Sequence, residues 1–360
     1  MIYIFDLIGA KSGCMYYDDA FCKLLRDNNI QSVVVSNYSD SFSKKWLCNM
    51  YKGHSIVKLI KLCYNYCVLI CLLLFRKTVI YLSYGTKVDC HFSKVGSHFK
   101  NFIVDVHEYV LLGDNDKDGA IKSKFDIIYT RVQNCIYHAE RTRGFLEKVR
   151  DLNTCLFVPH FKYEFDKSYD LTIIQEEIKN AIDKNKINFL FFGHFRESKG
   201  ICTLINAIKL EQTEGGDKCH FIFAGADPHK EFEKELCDLK KNHSVSVICR
   251  FIETEELNFL FDNVNVVILP YFEVSQSGVL ETAVFFKKYL ILSNIPYFKD
   301  FISRFPSFGC LFEKGNADDL RNKIFQSENN QIKSYNTDEI ELFYQKNEFD
   351  TFVNQLIKII

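Results

Sequence analysis

Short apolar runs alternate with helically spaced apolar positions along the whole chain. In the first half, residues 2–5, 32–35, 78–82, 102–106, 127–129 and 155–158 read as strands. In the second half, 188–192, 220–224, 245–251, 264–269, 289–292 and 310–312 do so. Helical spacing falls at 15–27, 55–75, 134–148, 200–209, 229–241, 254–261, 277–286 and 317–325. Two successive β-α-β series predict an α/β chain of two doubly wound domains with parallel sheets, facing each other across a cleft. The expected boundaries are 1–168 and 186–337, with the linker inside the polar stretch 167–186. Residues 172–182 within that stretch have helical spacing. The tail, rich in Phe and Leu, reads as helical over 338–360, and its 340–360 part is expected to cross back and pack on the first domain. No internal repeat or low-complexity tract interrupts the pattern.

Composition narrows this picture. A chain of 360 residues that is 47% hydrophobic has material for two cores. The net charge of −1, with Lys, Arg, Asp and Glu intermixed, gives no basic arm for nucleic acid. Fourteen cysteines are scattered without a C-x-x-C pair, which argues against a zinc ribbon or a dithiol redox motif and favours a reducing cytoplasm. The N-terminus, MIYIFDLIGA, lacks a basic leader and a small-residue cleavage site, so it reads as a first strand. The longest apolar stretch, 62–75, is short for a bilayer span and reads as a buried helix, with Cys63, Cys67 and Cys71 as small buried hydrophobes on one face. The competing reading is a helix lying in a membrane surface, with Lys58, Lys61, Arg76 and Lys77 near the headgroups.

The most informative segment is PYFEVSQSGVLETA, 270–283. It follows a run suited to a buried parallel strand, breaks at Pro270, passes through a polar loop and resumes as a helix at Ser277 and Gly278. The first amides of a helix lack intrahelical partners, and the helix dipole adds positive charge there, so this order builds an anion site. Glu281 lies one turn further in, about 6 Å along the axis. After the strand 188–192 comes GHFRESKGICTLINAI, which places Arg196 and Lys199 at another helix start. Arg can fork a diphosphate and Lys can meet it as a point charge. Most loop cations are merely solvated, so it is the pairing of the two motifs in one sheet that is specific.

These residues carry a resemblance. The Lys-Gly after a strand, the acids Glu273 and Glu281 with seven residues between them, and the strand–loop order resemble the retaining GT-B glycosyltransferases of family 4. The resemblance covers about 188–312 and implies GT-B architecture: a first, acceptor-side Rossmann-like domain and a second domain that binds a nucleotide sugar. It implies that Arg196 and Lys199 bind the donor diphosphate together with Ser277, Gly278, Val279 and Leu280. It further implies that Glu281 binds ribose and that Glu273 lies near the donor sugar. The chain departs from the pattern at His194, where many members have the Arg, and at Phe286-Lys287-Lys288, where many have a glycine. Gly225 resembles the family's turn near the nucleobase, although a simple tight turn explains it equally well, and 250–253 is a candidate for backbone contact with the base.

In the first domain, Gly9 and Gly13 allow a tight loop after the first strand, but the spacing is not G-x-G-x-x-G, so a dinucleotide fingerprint is not supported. The resemblance turns this loop toward the cleft. His107, in VDVHEYV at a strand end, is the candidate to hydrogen-bond the donor sugar, a role the resemblance also implies. His160, beside Pro159, reads as structural. No Asp-x-Asp stands at a strand end, so no metal and no cofactor are expected, only the nucleotide diphosphate sugar as substrate. The expected activity is sugar transfer to an acceptor hydroxyl of a glycan or lipid-linked glycan, in surface polysaccharide synthesis, by a cytoplasmic enzyme with possible contact at the inner face of the plasma membrane. The alternatives are a GT-B nucleotide-sugar epimerase and a non-catalytic nucleotide-binding module.

Overall fold

The computed structural model describes residues 1–9, 13–50, 53–110, 119–211, 218–227, 230–242, 244–329, 337–344 and 346–360. The chain divides into two compact units, one of Met1–Tyr163 with Tyr344–Ile360, the other of Glu164–Phe343.

The first unit holds a parallel sheet in the order β3-β2-β1-β4-β5-β6-β7. Its strands are β1 (Ile2–Phe5), β2 (Ser32–Ser36), β3 (Ser43–Lys45), β4 (Thr78–Ser83), β5 (Phe102–Val106), β6 (Asn134–Tyr137) and β7 (Cys155–Phe157). Between them run α1 (Cys14–Asp27), α2 (Ser55–Leu74), α3 (Lys87–Gly96), α4 (Ala120–Arg131) and α5 (Glu140–Leu146). Strands β1, β2 and β5 are buried at every position, as a parallel sheet covered on both faces requires. One face buries Tyr3, Phe5, Val33, Val35, Val79 and Tyr81 against Leu69 and Leu73 of α2.

The second unit opens with the short α6 (Glu176–Lys179) and holds a parallel sheet in the order β10-β9-β8-β11-β12-β13. Its strands are β8 (Ile187–Phe192), β9 (Cys219–Gly225), β10 (Val245–Cys249), β11 (Val266–Leu269), β12 (Tyr289–Ser293) and β13 (Gly309–Phe312). Helices α7 (Ile201–Glu211), α8 (Glu233–Asn242), α9 (Thr254–Asn263), α10 (Gly278–Phe285), α11 (Pro296–Arg304), α12 (Ala317–Asn329) and α13 (Thr337–Phe343) complete it. The chain then returns to the first unit as α14 (Lys346–Ile359), whose Phe352 is fully buried against Phe21 and Phe161. Residues 167–186, expected to hold the linker, lie within the second unit. There Asp170 N donates to Glu255, and Asn258 Nδ2 donates to the nearby Asp166 O.

Three expectations are corrected. Residues 127–129 are not a strand but the end of α4, where Ile121, Phe125, Ile128 and Tyr129 form one buried helical face. The predicted helix 134–148 is instead β6 followed by α5. Both errors have one cause: a short apolar run carries no period, so strand and helix cannot be told apart within it. The third correction concerns α2, which is not a buried helix. Of its 20 residues only Asn65, Leu69 and Leu73 are buried, and Cys63, Cys67 and Cys71 are exposed.

Candidate active site

In the second unit the strand order reverses between β8 and β11, and the loops after these strands are the two that carry the anion-binding signals. Open α/β sheets bind ligands at the carboxyl ends of strands at such a switch point. The two loops are joined. Phe272 N donates to Ser198 O at 2.9 Å. Gly200, at φ 67°, packs so close to Pro270 that a Cβ would stand 1.8 Å from the Pro270 carbonyl oxygen. Only glycine combines that conformation with that approach. Gly225 is a second such point. At φ 150° its Cβ would meet Gly193 O at 1.8 Å, so the ends of β8 and β9 pass backbone to backbone, which accounts for the glycine by packing.

The joined loops gather the predicted residues. Arg196 is exposed and precedes the 3₁₀ turn Glu197–Lys199. The Lys199 ammonium sits 3.8 Å from the ring centroid of the fully buried Tyr271, a cation–π contact that holds it at the β11 loop. His194 is exposed and lies by the same cations: partial desolvation first, then the charges of Arg196 and Lys199, pull its imidazole below the usual histidine range. Ser277 caps α10, its Oγ accepting from Leu280 N at 3.3 Å. The cap therefore engages the Leu280 amide, leaving Gly278 and Val279 as the half-buried first-turn residues facing this region. Val279 Cγ2 is 4.0 Å from the Cβ position of Gly193, so the α10 start borders the β8 loop.

Glu281 is 1% exposed, held in α10 by its N–H to Ser277 O. Tyr297 stands beside it: burial, and next the Glu281 charge, raise that phenol far above its ordinary range, while its hydroxyl bonds the Ser277 backbone. Glu273 is half-buried in the β11 loop. Arg250 is committed elsewhere, bidentate to Glu256 at 2.6 and 2.8 Å, and this ties the end of β10 to α9.

In the first unit the carboxyl ends of the strands hold a different arrangement. His107 is 5% exposed, stacked on Tyr84 at 4.6 Å and edge-on to Tyr17 at 4.3 Å, with Nε2 3.6 Å from Asp105 Oδ2. Burial drives its imidazole down to about 3, so it is neutral at neutral pH. Sequence reasoning does not single out Asp105. Burial alone would raise its carboxyl, but His138 and His107, with hydrogen bonds from His138 and Tyr17, outweigh that and hold it below the usual range. His138 Nδ1 faces Val158 O at 2.9 Å, and a carbonyl only accepts, so that nitrogen carries hydrogen. Its Nε2 lies 2.6 Å from Asp105 Oδ1. The buried pair is completed by the Tyr17 hydroxyl, which donates to Asp105 Oδ2 at 2.5 Å. The available signal is an acid inside a valine-rich buried strand. His160 joins the same aromatic group through Tyr17 and Tyr163. Gly9 N donates to the buried Asp6, and Gly13 caps α1 at φ 74°; residues 10–12 between them lie outside the described residues.

Residues 173–340 match the family described as Glycosyl transferases group 1. The whole chain is similar in structure to sucrose-phosphate synthase from Thermosynechococcus elongatus, with a TM-score of 0.74 at 13% identity over 99% of this chain and 98% of that one. It is similar to Anabaena HepE in complex with UDP and glucose, at 0.68 and 13% over 99% and 98%. It is also similar to WaaG, a glycosyltransferase involved in lipopolysaccharide biosynthesis, at 0.68 and 10% over 100% and 99%. No curated protein matches the sequence. At these identities the likeness is one of fold, and the fold is that of the GT-B glycosyltransferases. Together with the match over 173–340, it supports a glycosyltransferase.

Proposed function

We propose that the chain moves a sugar from a nucleoside diphosphate sugar to an acceptor hydroxyl, with retention, on a glycan or lipid-linked glycan of surface polysaccharide synthesis in the cytoplasm. The observation that carries the reading is the joining of two loops at the β8/β11 switch point. They bring Lys199, Arg196 and the start of α10 to one place. Transfer leaves a diphosphate whose charge grows as the glycosidic bond breaks. Fixed cations and helix amides aimed at that charge stabilise it without reorganising. Arg196 and Lys199 take its oxygens with Gly278 and Val279 N–H and the Ser277 hydroxyl. Ser277 Oγ can leave Leu280 N for the ligand, freeing that amide as well. Glu281 accepts from the ribose hydroxyls, and Glu273 positions the donor sugar. His107, neutral, offers the sugar a ring nitrogen, with Asp105 as its positioning partner.

The complex of HepE with UDP and glucose supports a nucleotide-sugar donor for a chain of this fold. The test is a panel of nucleotide sugars with and without acceptor, followed by mass spectrometry. Slow donor hydrolysis, accelerated by an acceptor that gains the sugar, is expected. An altered sugar released without any acceptor would mean epimerisation instead, and no turnover or binding of any nucleotide sugar would overturn the reading. Activity should survive EDTA, because cations and amides occupy the place of a divalent ion. Complete loss restored by magnesium would remove that part of the mechanism.

A further inference from the structure

The exposed face of α2 is apolar along its full length. Ile56, Ile60, Cys63, Cys67, Cys71 and Leu74 succeed one another at steps of three or four residues and are all exposed, which makes one continuous stripe about 30 Å long. Ile56 is 75% exposed and Leu74 65%. A helix apolar all round is ordinarily covered on all sides. Here the inward face alone is committed. Leu69 and Leu73 enter the sheet core, and Asn65, fully buried, exchanges two hydrogen bonds with the Cys48 backbone at 2.8 and 2.9 Å.

The charge around this stripe is predominantly positive, with the exposed Asp40, which accepts from Ser43 N, as an acid at the β3 edge. Between Ser41 and Val104 the chain has ten Lys and Arg and a single acid, Asp89. Asp89 is buried in the cap of α3, bonded to Thr86 and Tyr81, so it offers no surface charge. Exposed Lys58 stands at one end of α2, and exposed Arg76 and Lys77 at the other. Edge strand β3 adds the exposed Lys44 and Lys45 and the half-exposed Trp46. Trp46 stacks on Tyr3, which belongs to the core cluster of Leu69 and Leu73, so it stands on the α2 face of the sheet.

We infer that α2 and the β3 edge form a docking surface for an anionic lipid bilayer, with α2 lying in the headgroup plane. The stripe enters the acyl boundary while the cations at both ends meet lipid phosphates, the arrangement by which amphipathic surfaces bind. The helix has the length and hydropathy to cross a membrane, but crossing would pull Leu69, Leu73 and the Asn65 clamp out of the unit. A surface position leaves them in place. Attachment needs no sugar nucleotide, so it stands or falls separately from the proposed transfer.

The test is flotation of the full chain with phosphatidylglycerol–phosphatidylcholine vesicles. Trp46, the sole tryptophan, serves as an internal reporter. Expected are co-flotation at low salt, release at high salt, a blue shift of emission, and no binding to phosphatidylcholine alone. Changing Lys58, Lys61, Arg76 and Lys77 to Gln should lower partitioning by about tenfold or more. The exposed changes Ile60→Asn and Leu74→Asn should lower it independently. Absence of binding at low salt overturns the inference, as does equal binding to neutral vesicles or a requirement for detergent to release the protein. Self-association without lipid, removed by Ile60→Asn, would show that a second copy covers the face and would overturn it too. Donor hydrolysis by the four-Gln variant should be unchanged, which separates loss of attachment from loss of catalysis.

Discussion

The two units wind their sheets alike and treat charge at the strand ends in opposite ways. In the first unit the acids and histidines at the strand ends are turned inward and hydrogen-bonded within the unit. Asp105 pairs with His138, and Asp6 and Asp18 are both fully buried near the first strand. In the second unit the switch point carries two cations, one exposed and one half-buried, beside a helix start that adds the same sign, with the half-buried Glu273 in the β11 loop and the buried Glu281 in α10. Inward charge closed on itself defines a shape. Outward cations at a helix start are arranged for something that arrives. The contrast is the physical ground for the proposed binding of donor phosphates in the second unit, and it predicts that substitutions in the two units will differ in kind.

The largest effect should follow Lys199→Ala. Removing the ammonium from the β8 loop should cut turnover at saturating donor by on the order of a hundredfold or more. Thermal stability should change little, because a cation–π attraction such as that to Tyr271 is worth about 0.5–1 kcal/mol at a partly exposed site. Near-normal turnover would erase the contrast between the units. Next comes Glu281→Ala. A buried carboxylate that accepts from ribose hydroxyls leaves them unsatisfied when it is removed, so nucleoside diphosphate affinity should fall by about 1–3 kcal/mol in titration calorimetry. Unchanged affinity would take Glu281 out of the site.

Buried acids of the first unit such as Asp18 should respond in stability, not in donor affinity. Asp18 is raised well above the ordinary carboxyl range, by burial first and then by the Asp6 charge. A folded pKa above the unfolded value means the folded state holds the extra proton. Stability from that proton is complete below the unfolded pKa and is lost as pH rises through the folded one. Asp18→Asn keeps an acceptor for the Tyr38 hydroxyl, 2.9 Å from Asp18 Oδ2, and carries no charge. The variant should therefore gain stability over the wild type as pH rises, by about 1.4 kcal/mol per pH unit within the window. Urea denaturation at acid and neutral pH measures this, and a gain that shrinks with rising pH would contradict the assignment of the proton.

Strands buried on both faces are legible because nothing polar interrupts them; β1 and β5 match the sequence reading residue for residue. What escapes is structure held by other means. Strand β3 is SKK at a sheet edge, and α3 begins at a capping box, Thr86 with Asp89, that the apolar pattern does not show. The exposure of α2 is hidden because an all-apolar helix normally has something over it, and sequence does not say what. Its basic surroundings are hidden by averaging, since the whole chain nets −1. The switch-point residues stand in recognisable motifs. That Lys199 rests on Tyr271, 72 positions away, follows only from the placing of β8 beside β11.

The smallest expected effect tests a departure at the far end of the site helix. After α10, Lys288 N bonds Ala283 O and Lys287 N bonds Val284 O, the two bonds of a Schellman closure. Lys287 therefore occupies the left-handed position, at φ 55°, where the resemblance leads one to expect glycine. A side chain there costs about 1–2 kcal/mol of backbone strain, part of which glycine's larger unfolded-state entropy offsets. The neighbouring Lys288 reaches the Asp262 carbonyl at 2.9 Å, so the turn also ties α10 to α9 and is held from outside. Lys287→Gly should raise stability by about 0.5–1 kcal/mol and leave turnover unchanged, since the strain lies at the opposite end of α10 from the amides proposed to meet phosphate. A drop in turnover together with the gain would show that strain at Lys287 helps hold the start of the helix in place, and would tie the catalytic end of the second unit to its structural end.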